Sequence, residues 1–213
     1  MKNITYNKLE KMLYNHKLWL NCQGGKKIDL SNTDLSNIDL SDIDLRFVDL
    51  NNSNLSNTDL SGTNLSHVNL YNADLSNANL NYVNLSNANL SDANLSNIKT
   101  NYRTLGYHLA CPEEGSFIGY KKANEHLIKL LILEDSKRSS STTLKCRCDK
   151  AKVLSITNIK TGKEISKIAS DYDKNFIYEV GKIVEVKDFD EDRWNECSTG
   201  IHFFINKENA INY

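Results

Sequence analysis

The chain has little of several features that would place it in a familiar class. It has one proline, Pro112, in 213 residues, no run of 18 apolar residues, and no apolar stretch near its start. These gaps predict no membrane-spanning helix and no secretory signal. Its five cysteines are an odd number and too few for a disulfide scaffold. We therefore expect the reducing cytoplasm.

Net charge is also nearly absent, with 26 basic and 27 acidic residues. The charged fraction of 25% is that of an ordinary globular protein, which excludes wholesale disorder and a collagen-like chain. We expect neither direct nucleic-acid binding nor a membrane partner. What the chain does have is 29 asparagines, of which seventeen lie between Ile28 and Asn97.

That window divides without remainder into fourteen pentapeptides, beginning IDLSN TDLSN IDLSD and ending ANLSN. Leucine is the third residue of every unit, from Leu30 to Leu95. The second residue is always Asp or Asn, and the first is Ile, Val, Ala, Thr or Ser. Such strict periodicity marks a repeat architecture rather than low-complexity disorder.

These units resemble the A(D/N)LXX motif of pentapeptide-repeat proteins, and the resemblance covers about a third of the chain. It implies a mainly β fold, a right-handed quadrilateral β-helix over residues 28–100 with four units per coil and about 3.5 coils. Leucine and the small residue two before it would point inward. The Asp or Asn side chain suits the turns, because it bonds the nearby backbone.

Residues 1–27 are expected to close the open end of this column, since solenoids need caps. Thr5 to Leu20 is predicted to be an amphipathic helix, with Thr5 as N-cap and Gly24-Gly25 after its end. The six lysines of residues 1–27 against Glu10 leave a membrane-surface helix as the alternative.

Residues 101–213 have ordinary composition and predict a small α+β domain with antiparallel strands. The strings GSFIGYKKA, KRSSSTTLKCRC and ENAINY resemble a module of unknown function found after pentapeptide repeats in bacterial, phage and large-virus proteins. The predicted strands are Phe117–Lys121, Leu127–Leu133, Leu144–Cys148, Val153–Thr157, Phe176–Val180, Ile183–Val186 and Ile201–Ile205, with a helix over Lys207–Tyr213.

A basic segment with a Ser-Ser-Ser-Thr-Thr run is the candidate ligand site, because hydroxyls flanked by cations can hold a phosphate. The alternative is a solvated loop. The acidic stretch from Asp188 to Glu196 is expected to pair with it. The candidate ligand-binding residues are Lys137, Arg138, Ser139, Ser140, Lys145 and Arg147.

Two weaker kinds of chemistry remain open. Four cysteines, Cys111, Cys146, Cys148 and Cys197, could bind zinc only without the usual Cys-x2-Cys knuckle, so buried thiols are preferred and no cofactor is expected. GIHFF followed by ENAINY resembles a segment of ADP-ribosyltransferases. That resemblance implies that His202 and Tyr213 lie beside nicotinamide. It also implies a catalytic glutamate well downstream of this segment, which the sequence up to Tyr213 does not supply.

The column itself offers two surfaces. Its nine aspartates against Arg46 and Lys99 suggest mimicry of DNA, as in pentapeptide-repeat inhibitors of gyrase, although the column is short for that role. Its exposed aromatic residues are a contact patch for a partner or lie under a loop of the other domain. They are Phe47, His67, Tyr71 and Tyr82.

The hypothesis we favour is a non-enzymatic platform that presents the C-terminal domain to a protein or a small phosphorylated ligand, in a setting such as phage–host interaction. An ADP-ribosyltransferase-like enzyme and a DNA mimic are the two alternatives.

Overall fold

The computed structural model describes every residue from Met1 to Tyr213. The chain forms two compact units, Met1–His108 and Leu109–Tyr213. The first unit contains β1 (Lys2–Asn3), α1 (Tyr6–Leu20) and β2 (Thr33–Asp34). The second contains β3 (Phe117–Ala123), β4 (His126–Ile132), β5 (Arg138–Ser140), β6 (Cys146–Cys148), β7 (Lys150–Asn158), β8 (Lys167–Ala169), β9 (Ile177–Glu179), β10 (Ile183–Glu185), β11 (Ile201–Phe203) and α2 (Lys207–Asn212). Neither α1 nor α2 could span a lipid bilayer.

The repeats coil with four pentapeptides per turn. Parallel β-bridges join residues twenty apart, from Asp29 with Asp49 to Asn79 with Lys99. Leucines from Leu30 to Leu90 are fully buried, while Leu95, in the last repeat, is half-buried. The β-helix expected from the sequence is therefore present; its right-handedness and its number of coils stay predictions.

Two backbone rules explain the asparagine content. At the second position of all fourteen units, the Asp or Asn side-chain oxygen accepts a hydrogen bond from the backbone N–H two residues on. At the fifth position every residue has a positive φ, between 53° and 70°. Asn tolerates this left-handed conformation better than most residues. A Cβ at Gly62 would lie 2.1 Å from Asp42 Oδ1, so any other residue there would need the Asp42 side chain to move.

The coil continues beyond the last predicted repeat. Leu105 pairs with Asn84, and the buried Thr104 donates its hydroxyl to the carbonyl oxygen of Leu80 at 2.9 Å. The first unit accordingly ends at His108, eight residues after the boundary that the repeat period predicts. The repeat pattern breaks earlier than the coil because one residue is inserted, so that the bridged residues are 21 apart.

The N-terminal helix packs on the first coil through a buried histidine. His16 Nε2 donates to the carbonyl oxygen of Arg46 at 3.1 Å, and its Nδ1 accepts from the N–H of Ile28 at 3.4 Å. Thr5 precedes the helix as expected, but its side chain makes no capping bond. The capping helix therefore matches the prediction in position and is held mainly by Leu9 and His16, its two buried residues.

The second unit is built from antiparallel sheets. Its four-stranded sheet has the order β10-β7-β4-β3, its three-stranded sheet the order β11-β6-β5, and β8 pairs with β9. The core lies among residues such as Ile128, Val153 and Phe203. Two strands were not predicted, β5 and β8. The helix content is one six-residue helix.

Candidate functional site

The predicted phosphate-binding segment is neither a solvated loop nor an open cradle. It folds as the antiparallel pair β5–β6, and Ser139, Ser140 and Arg147 are buried. The hydroxyl of Ser140 accepts a hydrogen bond from the N–H of Ala110 at 2.8 Å. Because these serines lie inside the domain, they do not present hydroxyls to a ligand.

The two arginines of this segment are used inside the domain. Arg147 donates to the backbone carbonyl oxygens of Asp190, Thr199 and Asp192 at 3.0, 3.1 and 2.7 Å. Arg138 donates to five backbone carbonyl oxygens, those of Pro112, Gly115, Leu133, Glu134 and Ser136. Both guanidinium groups therefore hold loops rather than a ligand.

The acidic stretch does pair with the basic segment, within the same molecule. Lys137 forms an exposed ion pair with Glu191, and Thr143 donates its hydroxyl to Glu196. Arg147 adds bonds to the backbone of the same stretch. Of the six predicted ligand residues, Lys145 lines the cavity described next, and the other five do not.

That cavity, which we call the C-terminal cavity, has a volume of about 610 Å³ and is lined by Lys121, Lys145, Tyr172, Cys197, His202 and Tyr213, among others. It contains both residues of the ADP-ribosyltransferase-like segment, His202 and Tyr213. Arg138 is not part of its lining. Its size is typical of a small-molecule site.

Lys145 is the hub of polar contacts in the cavity. Its Nζ donates to the Tyr213 hydroxyl at 3.2 Å and to Cys197 Sγ at 3.6 Å, and lies 3.8 Å from Glu196. Only 6% of its side chain is exposed. Burial lowers the pKa of Lys145, but the bond to Tyr213 and the charge of Glu196 outweigh it, so the net pKa is raised and the group is cationic at neutral pH.

A smaller space, the cationic cleft, adjoins the cavity and shares five residues with it: Lys121, Lys145, Tyr172, His202 and Tyr213. It has a volume of about 120 Å³ and is lined by three lysines, Lys122 being the third, against one carboxylate, Asp171. The Asp171 oxygens accept hydrogen bonds from the backbone N–H of Asn124 at 3.1 and 3.3 Å. The cleft therefore carries an excess of positive charge.

Lys121 is the least neutralised of the three lysines. Lys145 lies 3.8 Å from Glu196, and Lys122 donates to the carbonyl oxygen of Ile211 at 2.9 Å. Lys121 forms neither an ion pair within 4.0 Å nor a side-chain hydrogen bond of this kind. Burial lowers the pKa of Lys121, and the charge of Lys145 lowers it further, while Asp171 opposes the shift. A bound anion would relieve this desolvated charge.

His202 stands in the cavity wall as a neutral group. Its Nε2 donates to the carbonyl oxygen of Ser198 at 2.9 Å. Burial, together with the nearby Lys145, Lys121 and Arg147, lowers the pKa of His202 to about 4. At neutral pH the Nδ1 of His202 can accept a hydrogen bond, but the ring supplies no positive charge.

The cysteines do not form a metal centre. No group of three or more His, Cys, Asp or Glu side chains is arranged to hold a metal ion. Cys111, Cys146 and Cys148 are buried in the core, while Cys197 is exposed and lines the cavity. A hydrogen bond with Cys111 and burial raise the pKa of Cys146, and burial raises that of Cys148, so these two thiols stay protonated.

Two of the predicted surface aromatics contact the N-terminal helix or each other. Phe47 lies edge-on to Trp19 with ring centroids 6.3 Å apart and stacks on His67 at 4.9 Å, one coil away. Trp19 in turn stacks on His16 at 5.5 Å. The rings form one line from the helix to the second coil, and Phe47 keeps 40% of its surface exposed.

The other two have partners near the far end of the repeats. The Arg103 guanidinium lies 5.9 Å from the centre of the Tyr82 ring, and a hydrogen bond with Asp92 raises the pKa of Tyr71. Phe47, His67 and Tyr82 are the only fifth-position residues other than Asn, Asp or Gly. Their bulk at a positive φ is explained in part by these contacts, and a role in binding a partner stays a prediction.

Several cavity residues were not found from the sequence, and one of them left a signal. Lys121 and Lys122 are adjacent on β3, and adjacent strand residues point to opposite faces. This alternation predicts that one of the two points into the domain; Lys121 lines both spaces, whereas Lys122 lines the cleft alone. Tyr172 and Phe176 line the cavity from the loop between β8 and β9, and Glu185 lines it from β10, which leaves no periodic pattern in the sequence.

Comparison with known families divides the chain in the same way. The model described as "Pentapeptide repeats (8 copies)" matches residues 28–66 and 59–97. The model described as "Family of unknown function (DUF5758)" matches residues 107–210. No curated protein matches the chain.

Solved structures similar to the chain cover the repeats. A pentapeptide repeat protein from the Arabidopsis thaliana thylakoid lumen is 28% identical over 37% of this chain and 61% of its own, with a TM-score of 0.33. A pentapeptide repeat protein from Nostoc PCC 7120 is 34% identical over 37% of this chain and 69% of its own, with a TM-score of 0.27. QnrB1, a plasmid-mediated fluoroquinolone resistance protein, is 16% identical over 38% of this chain and 68% of its own, with a TM-score of 0.14.

The chain thus spans less than two thirds of the Arabidopsis protein. Both family matches agree with the repeat geometry and with the separate second unit. The chain is a pentapeptide-repeat protein that carries a domain of the family of unknown function DUF5758 at residues 107–210.

Proposed function

We propose that the C-terminal unit binds a small phosphorylated ligand, with the phosphate in the cationic cleft, and that the β-helix is a platform for this binding unit. The observation that carries the proposal is the cleft's three lysines against one carboxylate, with Lys121 lacking an ion-pair partner. Buried cations without a counter-charge are costly, and an anion that neutralises them gains charge-assisted hydrogen bonds.

Binding rather than turnover fits the state of the polar groups. Tyr213 and Cys197 both accept from Lys145, and His202 is held on the Ser198 carbonyl oxygen. These mutual bonds fix the cavity wall in one arrangement. A pre-organised wall of this kind favours affinity, because little ordering is left for the ligand to bring about.

A melting-temperature panel tests the proposal with inorganic phosphate and small phosphorylated compounds. A ligand that binds only the folded state raises the melting temperature in proportion to ln(1 + [L]/Kd). We expect the rise in the wild type and its loss in Lys121→Gln. Lys152→Gln is the matched control, since Lys152 is exposed on β7. Equal shifts in all three proteins, or no shift with any compound, contradict the proposal.

An NAD-using enzyme is the second candidate, because His202 and Tyr213 line the same cavity. An NAD-consumption assay tests it directly. Turnover that is lost in Tyr213→Ala would replace the binding proposal by the enzymatic one, and absence of turnover at high protein concentration would eliminate the enzyme.

DNA mimicry has less support from the geometry. Seven of the nine aspartates of the column occupy second positions, where their side chains accept turn hydrogen bonds. Their presence is thus explained by folding. A DNA-supercoiling assay in which excess protein leaves gyrase active would discard mimicry. A protein partner, a cytoplasmic location and a phage–host role stay predictions.

A further inference from the structure

We propose that the ligand is a nucleoside monophosphate, with its phosphate in the cationic cleft and its base against Tyr172 in the C-terminal cavity. This inference rests on the proposed function and adds the identity of the group attached to the phosphate. It follows from how the two spaces join, from the aromatic residues there, and from the distribution of charge.

Tyr172 joins the two spaces. It lines both the cationic cleft and the larger cavity, and 86% of its surface is exposed. A group attached to a phosphate in the cleft would therefore extend past this ring into the cavity. Stacking of a planar base on Tyr172 would remove an exposed aromatic face from water, which a sugar alone does much less well.

The larger cavity continues the aromatic surface. Phe176 and Tyr178 line it, with ring centroids 5.3 Å apart at an angle of 65°. Tyr178 is buried and Phe176 is half-buried, so packing holds the two rings in place as one wall of the cavity. A cavity of about 610 Å³ with aromatic walls accommodates a base and ribose.

Charge changes sign between the two spaces. The cationic cleft has Lys121, Lys122 and Lys145 against Asp171. The part of the cavity outside the cleft has Asp173, Glu185 and Asp188 against Lys187. Base N–H and ribose O–H groups can donate to these carboxylates. A triphosphate with its terminal phosphate in the cleft would place its other two phosphates beside these carboxylates, and a cleft of about 120 Å³ has little room for all three; both points favour a monophosphate.

Calorimetric titration of the full chain with AMP, GMP, adenosine, ribose 5-phosphate and ATP tests the inference. We expect a monophosphate to bind about tenfold more tightly than ribose 5-phosphate, from the stacked base. Adenosine and ATP should both bind more weakly than the monophosphate. Tyr172→Ala should remove the preference for the nucleotide over the sugar phosphate. Tyr6→Ala, which changes an exposed tyrosine of the other unit, should keep it.

The outcomes separate this inference from the proposed function. Equal affinity for ribose 5-phosphate and both monophosphates, or a Tyr172→Ala protein that still prefers the nucleotide, overturns the nucleotide and leaves phosphate binding in place. Tighter binding of ATP overturns the charge argument. Absence of binding by every phosphorylated compound overturns both proposals.

Discussion

The two units hold their polar groups in opposite ways. In the repeats, the same turn hydrogen bond spans two residues and recurs fourteen times, as between Asp29 and Ser31. In the C-terminal unit, single buried cations reach far along the chain, Arg147 to Asp190 across 43 residues and Lys145 to Tyr213 across 68. The first unit therefore distributes its stability over many equivalent positions. The second unit concentrates both its stability and its chemistry in a few side chains.

Two tryptophans make this comparison measurable. Trp19 lies in the first unit and Trp194 in the second, and the chain has no others. In a Trp19→Phe background, tryptophan fluorescence therefore reports unfolding of the C-terminal unit. In a Trp194→Phe background it reports unfolding of the repeats. Separate readouts are needed, because two units need not unfold in one transition.

The largest effect is expected at Arg147. Its replacement by Ala removes a buried side chain and three part-buried hydrogen bonds to backbone carbonyl oxygens, and we expect a loss of about 3–5 kcal/mol from the C-terminal unit. Urea unfolding in the Trp19→Phe background measures it. The repeats, followed in the Trp194→Phe background, should be unchanged. A loss under 1 kcal/mol would show that the second unit does not concentrate its stability as described.

Next is the leucine core of the repeats. Leu60→Ala removes a fully buried side chain, for which about 2–5 kcal/mol is expected. Leu95→Ala is the matched control at a half-buried position of the same type, and its loss should be clearly smaller. Equal losses at the two sites would contradict the gradient of burial along the column.

Acid should weaken the C-terminal unit through His202. Its pKa of about 4 in the folded state lies below the ordinary 6.5, so the unfolded state binds the proton first. The stability is complete above pH 6.5 and falls as the pH decreases toward 4, by at most ~3 kcal/mol before solvent screening.

Urea unfolding between pH 7 and 5 in the Trp19→Phe background checks this, in a range where most carboxylates stay ionised. His202→Gln can keep a donor for the Ser198 carbonyl oxygen but cannot titrate. It should flatten the pH dependence of this unit. A slope that survives in the variant would assign the pH dependence to another group.

The smallest effect is expected for Asp59→Asn. Asp and Asn each occupy seven of the fourteen second positions, and either oxygen accepts the same turn bond. We expect a change within about 0.5 kcal/mol. Asp59→Ala, which removes the acceptor from the Ser61 N–H, should cost about 1 kcal/mol. An equal cost for Asn and Ala would mean that the turn bond does not set this position.

The same contrast explains what could be predicted from the sequence. The β-helix was predictable because each inward leucine and each turn oxygen acts within five residues, and the rule is repeated. The asparagines at the fifth position were visible in the sequence, but the left-handed backbone conformation that favours them was not predicted. The coil past Asn97 was missed because Thr104 and Leu105 continue it after an inserted residue.

The candidate site was only partly predictable. Lys145, His202, Cys197 and Tyr213 were named, for separate reasons, and the structure brings them together in one cavity. Ser139 and Ser140 were misplaced because a run of serines looks like a loop when its neighbours are charged. In the structure the two serines pair with Arg147 and Cys146 on β6, and the segment is a buried strand.

A crystal structure of the full chain grown with AMP tests the role of the cationic cleft most directly. We expect electron density for the phosphate between Lys121 and Lys145, with the base against Tyr172. A phosphate bound elsewhere, or an empty cleft at a saturating concentration of AMP, would contradict it.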